Sequence, residues 1–106
     1  MKQPTELGLN ARIMDPKSGR VLKEWSTEPG VQVYSGNFLE GKLPRDLGKG
    51  STVYKFRSGC CHEPSRFHDS VNHSGFPTTE IKPGEWYSGK IVYKFSVDKS
   101  KPVAKK

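Results

Sequence analysis

Eleven glycines and eight prolines are spread along 106 residues, and they leave no uninterrupted window where apolar residues recur at a 3.6-residue period for three turns. Helix is therefore at most a minor element, and the segments between breakers read as strands. In "ARIMDPKSGRVLKEW", Asp15, Pro16, Ser18 and Gly19 supply turn chemistry. The arms of this hairpin are expected at residues 11–14 and 20–26. Glu28, Pro29 and Gly30 break the chain before "VQVYS", whose alternation sets Val31 and Val33 on one face and Gln32 and Tyr34 on the other. Residues 37–50 read as a loop rich in glycine and charge before "STVYKF". The longest alternating run spans residues 87–97 and follows the turn "KPGE". Several strands separated by turn signals predict an all-β, antiparallel sandwich or part of one.

The composition bears on the core. Hydrophobic residues make up 32% of the chain, below the roughly 45–50% of ordinary domains with glycine counted, so the core is expected to be thin or completed by something else. No apolar run approaches the ~20 residues that span a bilayer, and the amino end "MKQPTELGLN" carries no apolar leader. The expectation is a soluble cytoplasmic protein without a membrane partner. The formal net charge is +7, but residues 98–106 hold four lysines and one aspartate and read as a disordered, solvated tail. No basic stripe interleaved with aromatics remains, and nucleic-acid binding is not expected.

The chemistry concentrates in "GCCHEPSRFHDSVNH", which gathers Cys60, Cys61, His62, His68 and His73 around Glu63. Structural zinc sites usually take paired ligands two to four residues apart, whereas neighbours on a strand point opposite ways. The spacing is therefore poor for a metal. One cysteine is expected to pack in the core as a small hydrophobe and the other to face out. Glu63, beside a long polar loop, suits general-base work if its neighbours complete a pocket. It equally suits a solvated surface, and the pattern alone leaves both open.

The order of the segments carries more. "DPKSGRVLKEWSTEPGVQVYSGNFLEG", then "SGCCHE", "FHDSVNHSGFP", "IKPGEWY" and "YKFSV", resembles the aldose 1-epimerase (galactose mutarotase) family, in the order of that family's carboxy-terminal end. The resemblance covers about residues 7–97. It implies an incomplete antiparallel β-sandwich segment of the galactose mutarotase-like fold over residues 1–97, followed by the tail. It also implies interconversion of the α and β anomers of a free hexose such as galactose or glucose, with no metal or organic cofactor and the aldose as the small-molecule partner. The family's "G-x-C-x-E" glutamate, its general base, falls on Glu63, and the sugar-contacting glutamine of "EPG-x-Q-x-Y-x-GN" falls on Gln32. The histidines that serve the family as acid and sugar ligand lie upstream of the matching region, and His62, His68 and His73 do not correspond to them. Pro64 and Ser65 stand where the family usually has Thr-Gln, and the proline restricts Glu63 to extended conformations. An inactive carbohydrate-binding β-module is the alternative reading.

Overall fold

The computed structural model describes residues 6–100, which form two compact units. One comprises the chain through Val31 together with the chain from Pro64 on, and the other is Gln32–Glu63. The lysine-rich tail lies, from residue 101 on, outside the described residues.

The first unit is built on a three-stranded antiparallel sheet of β1 (Gly8–Met14), β2 (Arg20–Ser26) and β5 (Ile91–Val97), in the order β1-β2-β5. The β1–β2 hairpin closes on Asp15. Its carboxylate accepts the N–H groups of Lys17 and Ser18, each at 3.2 Å, and the Ser18 hydroxyl at 2.7 Å. These bonds, the Ser18 hydroxyl first, hold the Asp15 carboxyl below its ordinary range. Gly19 completes the turn at φ +73°, and a Cβ there would stand 2.7 Å from the Asp98 carbonyl oxygen. Only glycine meets both conditions without strain.

From this turn Met14 pairs with Val21 and Ala11 with Glu24, and the register shifts between Leu9 and Ala11. The irregularity falls at Asn10, whose side chain bonds the Ser26 hydroxyl at 2.5 Å and the Glu28 carbonyl at 3.0 Å. β5 pairs with β2 from Arg20–Val97 to Ser26–Ile91.

The alternating run expected from residue 87 becomes strand only at Ile91. Tyr87 folds over Gly89 instead: a Cβ on that glycine would lie 2.9 Å from the phenolic oxygen. The Lys90 N–H is taken by the Thr27 hydroxyl at 3.0 Å, so regular strand pairing begins just beyond it.

β3 (Gly30–Tyr34) and β4 (Cys61–Ser65) form a separate two-stranded sheet. Pro64 fits inside β4 because a strand with one neighbour has a side on which no N–H is needed. Within "STVYKF", Val53 makes an isolated antiparallel bridge to Leu47. Two short 3-10 turns, Pro44–Asp46 and Lys49–Ser51, occupy the expected loop, and a third lies at Ser70–Asn72.

The core is as thin as the composition suggested. Val21 is the one buried hydrophobic side chain among the described residues, while all seven residues of β5 are exposed, Phe95 at 76%. The structure is all-β, and the apolar side chains of β5 are exposed.

Candidate functional site

Gln32 is the central residue of β3 and Glu63 the central residue of β4, so the two candidates sit on the same two-stranded sheet. Both are exposed. The Glu63 side chain makes no hydrogen bond or ion pair among the described residues, which leaves both carboxylate oxygens able to accept a proton or a hydrogen bond from a ligand. On the other set of positions, Val31 is half-buried and Val33 is 56% exposed.

The unit carrying both residues is organised by polar contacts more than by apolar burial. Tyr34 stacks on Phe38 at 6.3 Å between ring centres and 10° between planes, and its hydroxyl accepts the Phe38 N–H at 3.1 Å. Phe38 is left 75% exposed. Asn37 accepts both the Ser35 hydroxyl and the Arg57 Nε–H through Oδ1 at 3.0 Å.

Asp46 is the anchor of the long loop. It is wholly buried, and its Oδ2 accepts the N–H groups of Glu40, Lys42 and Leu43 at 3.1–3.2 Å. Burial, the largest single influence, raises its pKa, but the backbone donors together outweigh it and hold the carboxyl below its ordinary value. Tyr54 packs its ring over Gly48, where a Cβ would stand 2.2 Å from the phenolic oxygen.

In the other unit, Arg66 forms an ion pair with Glu28, 38 residues away, and Tyr87 donates its hydroxyl to the second Glu28 oxygen. The side chains of Arg66 and Glu28 are 11% and 9% exposed. Arg66 Nε also donates to the Thr78 carbonyl at 3.3 Å. The hydrogen bond to Glu28 first, and burial second, raise the Tyr87 pKa above 10.0. Nothing in the local sequence signals this hub, because its members meet only through the fold.

The cysteine and histidine cluster does not converge. Cys60 and Cys61 are both exposed free thiols, so neither takes the core position expected for one of them. His73 pairs with Asp69 at 3.3 Å and lies against Phe76, whereas His62 stands next to Glu63 on β4. Among the described residues no group of three or more His, Cys, Asp or Glu side chains is gathered for a metal ion, and no helix is long and apolar enough to cross a membrane.

A family model for aldose 1-epimerase matches residues 3–94. The galactose mutarotase of Mus musculus is 43% identical over 97 residues, a stretch covering 92% of this chain and 28% of the mouse protein. The Homo sapiens galactose mutarotase gives the same identity and coverage. Aldose 1-epimerase of Escherichia coli is 38% identical over 76 residues, 70% of this chain and 21% of that protein. The chain thus spans little more than a quarter of the length of the mammalian relatives.

Proposed function

The chain belongs to the aldose 1-epimerase family, and on that footing we propose that it carries the general-base part of a mutarotase site acting on a free hexose such as galactose or glucose. The observation that supports this most is the pairing of β3 with β4, each with its candidate at the centre and exposed. Glu63 takes the proton of the anomeric hydroxyl as the bond from C1 to the ring oxygen breaks, and a general acid protonates that oxygen. The open aldehyde turns about its C1–C2 bond and the reverse steps close the ring on either face. Gln32, whose amide both donates and accepts, holds sugar hydroxyls.

The acid comes from a histidine outside these residues. Positioned acids and bases contribute about 10²–10⁴-fold each, so the 106-residue chain alone is expected to accelerate mutarotation little, and the same chain joined to the upstream portion of the mouse relative much more. Polarimetry on freshly dissolved α-galactose reads both. Full activity from the chain alone would overturn the missing acid, and an inert joined protein that still binds galactose would overturn the enzyme reading. Binding without turnover is the second reading. The stacked Tyr34–Phe38 pair favours it, because the exposed Phe38 ring offers the apolar platform on which sugar C–H faces rest.

A further inference from the structure

The Glu28–Arg66 pair occupies a particular place in the chain. Glu28 lies two residues before β3 and Arg66 directly follows β4, so one ion pair ties the entry of the first strand to the exit of the second. Each partner is held from elsewhere as well. Glu28 takes Tyr87 on its other oxygen, its N–H donates to the Ser26 hydroxyl at 3.1 Å, and its carbonyl receives Asn10. Arg66 is fixed by the Thr78 carbonyl. Between these ends the backbones fit closely: a Cβ on Gly30 would stand 3.1 Å from the Phe67 ring and 3.3 Å from the Ser65 carbonyl oxygen.

A charge-assisted pair this shielded from water is more directional than a surface ion pair. Removing one partner leaves the other charged, buried and uncompensated. Strand register is otherwise weakly specified here, because a two-stranded sheet with both candidates exposed has no buried face to enforce it, and a one-residue slip reverses every side chain. Gln32 follows Val31 and Glu63 precedes Pro64, so a shift at either clamped end passes to the adjoining candidate along the strand.

We propose that Glu28 and Arg66, with Tyr87 as their brace, are positioning residues that set the register of β3 against β4 and thereby the placement of Gln32 and Glu63. The inference rests on the sugar-site reading for its functional meaning, while the register it describes is measurable without sugar. The test is a double-mutant cycle of Glu28→Gln and Arg66→Gln in the 106-residue chain. Nuclear magnetic resonance follows the Gln32 side-chain amide, the Glu63 carboxylate and the β3–β4 cross-strand contacts, and galactose is then titrated in. Each single change is expected to shift those signals, alter the cross-strand contacts and weaken galactose binding about tenfold. The double variant, which buries no lone charge, should be closer to wild type than either single.

Where a single variant fails to fold, Tyr87→Phe removes one hydroxyl and should move the same signals by a smaller amount. Unchanged Gln32 and Glu63 signals and contacts in folded variants, with only a lowered melting temperature, would overturn the proposal. So would additive single effects. If wild type binds no galactose, the sugar reading fails, and the resonance and contact arm still decides the register.

Discussion

Glu63 owes its availability to its neighbours on the strand. Pro64 keeps it extended, and in β4 its side chain is exposed with no hydrogen bond or ion pair among the described residues. Gln32 is also exposed, at the centre of β3. In the joined protein Gln32→Ala should raise KM for galactose roughly three- to tenfold with little change in kcat, the net worth of a hydrogen bond or so. Steady-state polarimetry over a range of galactose concentrations checks that split. Asp46 matters to the same unit for a different reason. Its folded pKa is depressed below 3.8, so the stability it contributes is present above the unfolded value and is lost as pH falls through the folded one. The loop around it should loosen between about pH 4 and lower values, and Asp46→Asn should abolish that transition while exposing the amides of residues 40, 42 and 43 at neutral pH. Amide hydrogen exchange against pH measures both effects. The roles given to Glu63 and Gln32 came from the order of the segments, whereas Asp46 was hidden in a stretch that read only as loop. A buried aspartate looks like any turn aspartate until the three N–H groups it collects are placed around it.

Among the elements, the β1–β2 hairpin was legible because everything that makes it is local: four turn residues, then two runs of suitable period. Gly19 is its most sensitive point, combining a left-handed backbone with the close Asp98 carbonyl. Gly19→Ala should therefore destabilise the first unit by at least ~1–2 kcal/mol from the backbone alone, read as a lower denaturation midpoint in urea. β5 was legible from Ile91 onward. Its expected start at residue 87 failed because Tyr87 finds a carboxylate 59 residues away, which no window of alternation encodes. For Val31 and Val33 the alternation predicts a shared face, and whether a face is buried depends on whether another layer lies on it.

For the whole molecule, the low apolar content and the exposed β5 are one fact. A three-stranded sheet whose outer strand exposes Ile91, Tyr93, Phe95 and Val97 presents an apolar surface of the kind that monomeric proteins rarely leave uncovered. The isolated chain should bind a hydrophobic dye and melt over a broad range, and the joined protein should show a sharper transition with less dye bound. Dye fluorescence during a thermal ramp compares the two, and a sharp dye-free melt of the isolated chain would show that the sheet needs no further layer.

The central claim is that Glu63 is the base. Polarimetry of the joined protein and its Glu63→Gln variant, at matched galactose saturation, tests it most directly. The account predicts that kcat falls about 10²–10⁴-fold while galactose binding persists, because glutamine keeps the shape and loses the proton acceptor. A Glu63→Gln variant that turns over galactose at the parent rate would contradict it.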